Sequence, residues 1–255
     1  MNTLKKAVYE NILPCMGKVF AYKNQYINVI YYHDIVQGSG HSFMQTNIDI
    51  FKSHMQYLVD NHFETMRFDD LDKEENFKHK KKRVLIAFDD GWRSNYCEIF
   101  EYMKSLGLKY NIFLAVGFIG ENPDYLTWDM VKEMHESGLC GFGTHTFNHV
   151  DFSYETTNFK TEIYKADAIL EQHTGIIAKD FCYPYGKYSE ASNVLLLSQS
   201  NYKRIYTSDL LYSYPRSDKF IMGRCGISND ESFNVFKGKV KGYYNILSML
   251  KNHGK

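Results

Sequence analysis

The chain has 255 residues, and its 30 Lys and Arg balance its 30 Asp and Glu, so its net charge is zero. Nucleic-acid-binding proteins usually carry a basic excess, so this balance argues against a nucleic-acid partner. The length suits one large domain, and no stretch rich in Pro, Gly or Ser indicates a linker. We therefore expect a single domain.

Neither a membrane span nor a signal peptide is recognised in the sequence. No apolar run approaches the length that a membrane span needs. Pro14, Gly17 and Lys18 interrupt the apolar stretch that a signal peptide would require. We therefore expect no transmembrane segment and a cytoplasmic or peripheral location.

The N-terminal residues 1–25 have apolar positions at roughly helical spacing, namely Leu4, Ala7, Val8, Ile12 and Leu13. One interpretation is a helix that packs on the domain. The other is a helix that contacts a membrane surface or a partner. The next residues, 27–34, form a predicted strand with His33 at its end.

Strands and helices alternate along the rest of the chain. After the strand at 27–34, the predicted strands are 84–88, 111–116, 139–143, 180–183 and 204–207. The predicted helices are 47–61, 93–106, 128–137, 155–173 and 189–200, with a further helix near the C-terminus. This alternation predicts the α/β class, with a parallel sheet or barrel.

The second predicted strand, Val84 to Phe88, is an unbroken apolar run that ends at Asp89, Asp90 and Gly91. An unbroken run is typical of a parallel strand that is buried on both faces. Barrels and open α/β sheets place their chemistry at the carboxyl ends of such strands. Taken alone, the pattern favours an ordinary strand followed by an Asp-Gly turn.

Two later segments carry further candidate site residues. His145 and His149 are four residues apart, so in a helical turn both imidazoles would face one metal. A strand-end carboxylate would complete a site with positions open for water and substrate, although this histidine spacing alone is a weak signal. Pro184-Tyr185-Gly186 predicts a sharp turn, which either directs a backbone N–H at an oxyanion or is an ordinary strand-to-loop turn.

Together these segments resemble the polysaccharide deacetylase family, the NodB-homology carbohydrate esterases of family four. Residues 88–91 (FDDG) are similar to its first motif, 145–149 (HTFNH) to its second and 182–186 (CYPYG) to its third. The resemblance implies a distorted (β/α) barrel, parallel and seven-stranded, over residues 27–230. It leaves residues 1–25 as an N-terminal extension and 231–255 as a helical tail.

The resemblance also implies roles for individual residues. Its metal ligands would be Asp90, His145 and His149, which suit zinc most readily, with cobalt, nickel or iron as alternatives. The metal would polarise the acetyl carbonyl and its water, and Asp89 would be the base that takes the water proton. The Tyr185 N–H, after Pro184, would help to hold the oxyanion.

Two positions depart from the common family pattern. The third motif usually begins with an arginine that orients the base, and Cys182 stands there. The usual C-terminal histidine acid is not visible, since His253 has the wrong flanking residues. The poly-N-acetylglucosamine deacetylase subgroup takes its acid from an N-terminal Tyr-His strand end, which His33 matches. Arg224 either orients a carboxylate of the site or forms a surface salt bridge.

The function implied is metal-dependent removal of N-acetyl groups from an amino sugar in a polysaccharide or oligosaccharide. One alternative is a catalytically silent homologue that still binds carbohydrate. Another is a hydrolase of a different non-peptide C–N bond. Intact Asp89, Asp90, His145 and His149 argue against the silent homologue, whereas Cys182 and the missing C-terminal histidine keep it open.

Overall fold

The computed structural model of the chain describes residues 8–21, 27–38, 44–73, 82–154, 158–209 and 220–247. Residues 1–7, most of the polar connection at 69–83 and His253 lie outside the described residues. Within the described ranges, no helix combines the length and the apolar character that crossing a membrane requires.

The strands are β1 (Asn28–Tyr32), β2 (Asp34–Val36), β3 (Gln45–Asn47), β4 (Glu64–Met66), β5 (Arg83–Phe88), β6 (Tyr110–Leu114), β7 (Cys140–Thr144), β8 (Asp180–Cys182), β9 (Arg204–Thr207), β10 (Phe220–Gly223) and β11 (Cys225–Gly226). The helices are α1 (Leu13–Ala21), α2 (Ile48–Asp60), α3 (Ser94–Cys97), α4 (Phe100–Leu106), α5 (Trp128–Glu136), α6 (Ala166–Thr174), α7 (Glu190–Gln199) and α8 (Phe233–Val240). Wider helical turns precede α1 (Val8–Ile12) and α6 (Lys160–Lys165).

The strands form a parallel, nearly closed barrel in the order β10-β9-β8-β7-β6-β5-β1-β11, with β4 paired to the first half of β5. The predicted parallel α/β barrel is confirmed. The resemblance implied seven strands, whereas this order contains eight. The difference arises because Arg224 divides the last extended segment into β10 and β11. β10 pairs with β9 and β11 pairs with β1, so this segment bridges the two edges of the sheet.

The strands alternate between two apolar layers, which explains the unbroken apolar run of β5. Leu85 and Ala87 belong to a cluster inside the barrel, together with Tyr31, Phe113 and Cys182. The other apolar positions of β5, Val84, Ile86 and Phe88, pack outward with residues of the surrounding helices. A strand that is covered on both faces needs apolar residues at every position.

Local signals explain several helix boundaries. Asn47 caps α2 and accepts hydrogen bonds from the N–H groups of Asp49 and Ile50, and Thr127 caps α5. The single helix predicted at 93–106 is wrong, since two short helices, α3 and α4, occupy that stretch. In α3, the buried Asn95 donates from Nδ2 to the carbonyl of His33 at 3.1 Å, which ties this helix to the end of β1.

Candidate active site

The candidate site lies where neighbouring parallel strands end. β1 and β5 pair in register through Tyr32 and Phe88, so the next residues, His33 and Asp89, emerge side by side. The N–H of Asp89 donates to the carbonyl of Tyr32 at 3.0 Å. His145 follows β7, and the turn that contains Tyr185 follows β8. The barrel therefore brings the predicted site residues to the carboxyl ends of its strands.

The backbone at these strand ends adopts costly conformations. Among the described non-glycine residues with positive φ, four of five lie in the three motifs: Asp90 (73°), Thr146 (67°), His149 (55°) and Tyr185 (58°). The left-handed region disfavours residues that carry a Cβ, and each such residue costs on the order of 1–3 kcal/mol. Strain concentrated in this way is typical of a functional site.

Asp90, His145 and His149 form a cluster whose ligand atoms all lie within 4.8 Å of one another. Asp90 Oδ1 lies 3.6 Å from His145 Nε2 and 3.2 Å from His149 Nε2. The other oxygen, Oδ2, accepts a hydrogen bond from Trp92 Nε1 at 3.0 Å. Oδ1 is buried and has no hydrogen-bond partner among the described residues.

The donor atoms of this cluster suit a divalent metal. His145 Nδ1 lies 2.7 Å from the carbonyl of Cys182, which can only accept, so Nδ1 carries the hydrogen and Nε2 keeps its lone pair. A buried carboxylate oxygen without a donor is costly, and a cation would satisfy it. His₂-carboxylate sets with a hydrogen-bonded outer shell are standard ligands for such ions. The residues present therefore fit the implied metal.

A buried ion pair joins Asp89 to Arg224. The guanidinium nitrogens lie 2.6 and 2.8 Å from the two carboxylate oxygens, and Arg224 is 2% exposed. The guanidinium also lies over the ring of Tyr31, 4.2 Å from its centroid. The surface salt bridge considered for Arg224 is therefore wrong, because this arginine lies inside the barrel. Cys182, at the usual arginine position, is fully buried beside it.

The ionisation of the cluster follows from burial and these charges. Burial alone would raise the pKa of Asp89, but Arg224, followed by His145, outweighs it and lowers that pKa below its usual range. Burial likewise opposes ionisation of Asp90, yet the neighbouring histidines lower its pKa. Burial lowers the pKa of His145 to about 4 against the pull of both aspartates, so the ring is neutral and able to bind a metal.

His33 faces the Asp89 carboxylate, with 3.9 Å between His33 Nε2 and Asp89 Oδ2. The residue is 8% exposed. A neighbouring carboxylate favours the protonated form of a histidine. In the structure burial is the larger effect, and it lowers the pKa of His33 although Asp89 and Asp90 raise it.

Tyr185 stands at the rim of the cluster, and Pro184 is buried beneath it. The Tyr185 side chain is 63% exposed, and its ring meets the His149 ring edge-on at 4.7 Å between centroids. Gly186 also has a positive φ, and a Cβ there would lie 2.3 Å from Ser208 Oγ. The sharp turn predicted at this motif is confirmed, since the Gly186 N–H donates to the Tyr183 carbonyl.

Two residues at this site were not singled out from the sequence. The Trp92 indole N–H donates a hydrogen bond to Asp90, and its ring stacks on Tyr125 at 4.7 Å between ring centroids. Its place directly after the Asp-Asp-Gly turn was a signal that could have been used. Glu162 holds the loop of the second motif through hydrogen bonds to Phe147 and Asn148. It lies in a predicted helix with no motif around it, so no local signal marked it.

Comparisons with known proteins agree with this geometry. The family model for polysaccharide deacetylases matches residues 76–205. YxkH of Bacillus subtilis (strain 168), provisionally named a polysaccharide deacetylase, is 31% identical over 64% of this chain and 57% of its own length. The poly-beta-1,6-N-acetyl-D-glucosamine N-deacetylase of Staphylococcus aureus (strain MRSA252) is 25% identical over 63% of this chain and 59% of its own length. The chain thus spans less than two thirds of these relatives.

A solved structure extends the likeness to the whole fold. The Streptococcus pyogenes deacetylase PplD, determined in complex with acetate, aligns with a TM-score of 0.74 at 20% identity. The alignment covers 86% of this chain and 98% of that one. Similarity at this level of identity establishes a shared fold.

Proposed function

Because the chain belongs to the polysaccharide deacetylase family, we propose that it removes N-acetyl groups from an amino sugar in a polysaccharide or oligosaccharide. The observation that carries the proposal is the buried Asp90 Oδ1, which lies beside two histidine Nε2 atoms and has no hydrogen-bond donor in the part of the chain that the structure describes. A metal-dependent amide hydrolase needs such a metal position next to a base, and Asp89 adjoins it. The Staphylococcus aureus relative, named for an N-acetylglucosamine polymer, supports this class of substrate.

The proposed roles follow from the contacts of each residue. Asp90, His145 and His149 would hold one divalent metal, most readily zinc, which when bound supplies a Lewis acid for the acetyl carbonyl and the attacking water. Asp89 takes the proton of that water while Arg224 fixes the orientation of its carboxylate.

Two further residues would act on the acetyl group and the leaving amine. The backbone N–H of Tyr185 donates to the oxyanion, and Pro184 fixes the turn that directs it. His33 donates a proton to the leaving nitrogen, because an amine leaves poorly as an anion. Burial lowers the pKa of His33, which makes its protonated form a stronger acid.

A substrate panel tests this function against its two alternatives. Acetate release is measured from N-acetylated glucosamine oligomers, O-acetylated sugars and simple acetamides, each with and without a chelator. Chelator-sensitive release from the N-acetylated oligomers supports the proposal. Binding of those oligomers without release would favour the silent homologue, and turnover of the acetamides alone would favour a different C–N hydrolase.

The peripheral location also remains a proposal. It is supported by the N-terminal helical segment formed by the turn Val8–Ile12 and α1. In this segment Ile12, Met16 and Val19 are 52%, 45% and 68% exposed beside Lys18. An apolar stripe next to a cation suits an anionic lipid surface. Cosedimentation with phosphatidylglycerol vesicles tests it: Val19→Asp should abolish binding, whereas Val194→Asp, at another exposed valine, should not. Equal binding by both variants would reject the contact.

A further inference from the structure

Glu162 is a buried carboxylate that the proposed chemistry does not use. It lies in the helical turn Lys160–Lys165 before α6, and 4% of the residue is exposed. Its Oε2 accepts hydrogen bonds from the N–H groups of Phe147 at 3.2 Å and Asn148 at 2.8 Å. Its Oε1 accepts a third bond from Asn148 Nδ2 at 2.7 Å. All three donors belong to the loop that carries His149.

The same loop is held from its other side by the segment after β6. The N–H of Val116 donates to the carbonyl of Thr146 at 3.1 Å, and the N–H of Gly117 donates to that of Phe147 at 2.8 Å. A Cβ at Gly117 would lie 2.6 Å from the Phe147 carbonyl oxygen, so this close approach requires glycine. The loop therefore accepts hydrogen bonds at its carbonyls from the segment after β6, and its N–H groups donate hydrogen bonds to Glu162. These two sets of bonds form a clamp on the loop.

This clamp holds a loop that would otherwise relax. The loop has left-handed residues at both ends, Thr146 and His149, and that conformation is costly for residues other than glycine. Bonds from backbone N–H groups to a carboxylate are charge-assisted and stronger than neutral ones. Removal of the carboxylate would leave two backbone N–H groups without an acceptor and let the loop leave its strained conformation.

His149 depends most on this support. Its side chain is 17% exposed, against 2% for His145 and 7% for Asp90, so its surroundings enclose it least. We propose that Glu162 is a positioning residue that holds His149 Nε2 beside Asp90 before the metal binds. This inference rests on the proposed metal site. Metal binding would be tighter because ligands that are already in place lose less entropy when the metal binds.

The test is the zinc affinity of the metal-free protein, measured by competition with a chromogenic chelator and without substrate. Glu162→Gln keeps the size of the side chain but loses its charge and presents N–H groups to donors. It should bind zinc roughly 10–100-fold more weakly than wild type, the usual effect of losing an outer-shell partner. The matched control is Glu171→Gln, the same change at an exposed glutamate of α6, which should bind zinc as wild type does.

Two readouts separate positioning from a merely structural role. A merely structural residue would lower the Tm of the metal-free protein and leave zinc affinity unchanged. A positioning residue weakens zinc binding, and saturating zinc restores kcat to within about threefold of wild type. If Glu162→Gln does not fold, Asn148→Ala removes one of the three donors and should weaken zinc binding by a smaller factor.

Wild-type zinc affinity in Glu162→Gln, or in Asn148→Ala where only that variant folds, overturns the inference. Failure of the proposed function gives a different result. In that case the wild-type protein itself binds no zinc, or binds zinc and releases no acetate from any N-acetylated sugar.

Discussion

Arg224 and Asp89 lie 135 residues apart in the chain, yet both terminal guanidinium nitrogens reach the carboxylate, at 2.6 and 2.8 Å. The arginine comes from the break between β10 and β11, where the barrel closes. Its family counterpart in the third motif is replaced by Cys182. The chain thus keeps a cation on its proposed base by supplying it from a different segment, the one between β10 and β11.

Removal of this cation should shift the pH dependence of activity. Arg224 holds the pKa of Asp89 down, so the base stays ionised well into the acidic range. Arg224→Met removes the main group that lowers the pKa of Asp89. The effect of burial, which raises this pKa, then acts without that opposing charge. The acidic limb of the kcat/KM profile should therefore move to higher pH.

The matched control for this prediction is another buried arginine of the barrel, Arg204. Arg204 pairs with Asp180 at 2.8 Å. These residues begin β9 and β8, at the end of the strands that lies away from the candidate site. Arg204→Met should destabilise the fold, since breaking a buried pair costs about 3–5 kcal/mol, without moving the acidic limb. An unchanged acidic limb in a folded Arg224→Met protein would remove Arg224 from the site's chemistry.

His33 should matter only where the leaving group needs a proton. His33→Ala should lower deacetylation of an N-acetylated sugar by roughly 10²–10⁴-fold, the usual contribution of a positioned acid. Hydrolysis of 4-nitrophenyl acetate should stay near the wild-type rate, because nitrophenolate leaves without protonation. If the variant loses both activities equally, or neither, His33 is not the acid.

Trp92 should influence metal binding through its single hydrogen bond to Asp90 Oδ2. Trp92→Phe keeps an aromatic ring beside Tyr125 but removes the donor. Zinc affinity should fall by roughly 10-fold, at the lower end of outer-shell effects. Trp128→Phe changes the only other tryptophan, which stacks on His173, and serves as the control. Equal zinc affinity in the two variants would show that the indole N–H is dispensable.

Asp167 should make the fold less stable as pH rises. Burial raises its pKa to about 6, against the hydrogen bonds from Tyr202 and Thr144. A group whose pKa is higher folded than unfolded stabilises the fold at low pH and loses that contribution as pH passes through the folded value. The loss is on the order of 2 kcal/mol between pH 4 and 7.

Asp167→Asn lacks this titration. Urea unfolding at pH 5 and pH 7.5 should therefore show the variant gaining stability relative to wild type at the higher pH. A constant difference in unfolding free energy across this range would contradict the assignment to Asp167.

The features that could be predicted from the sequence are those encoded by neighbouring residues. The barrel was predictable because β5 and its neighbours leave unbroken apolar runs between amphipathic helices. Asp89 and Asp90 were identifiable because they come first and second after the apolar run of β5, and His145 was identifiable from its four-residue spacing to His149. β10 and β11 were not predicted: β11 has only two residues, and Arg224 interrupts the extended segment between the two strands.

The contacts that support the site were not predictable from local sequence. Two sets of contacts form only after distant segments fold together: the Arg224–Asp89 ion pair and the hydrogen bonds from the second motif to Glu162. The charge state of His33 depends on the degree of burial, which the strand pattern around it does not determine.

The most direct test of metal-dependent deacetylation is a zinc titration of chelator-stripped protein, with acetate release from an N-acetylglucosamine oligomer as the readout. Activity should be absent without metal, rise linearly with added zinc and level off at one equivalent per chain. His145→Ala, which removes the most buried histidine ligand, should stay inactive throughout. Activity that survives stripping, or no acetate release from wild type at full zinc occupancy, would contradict the account.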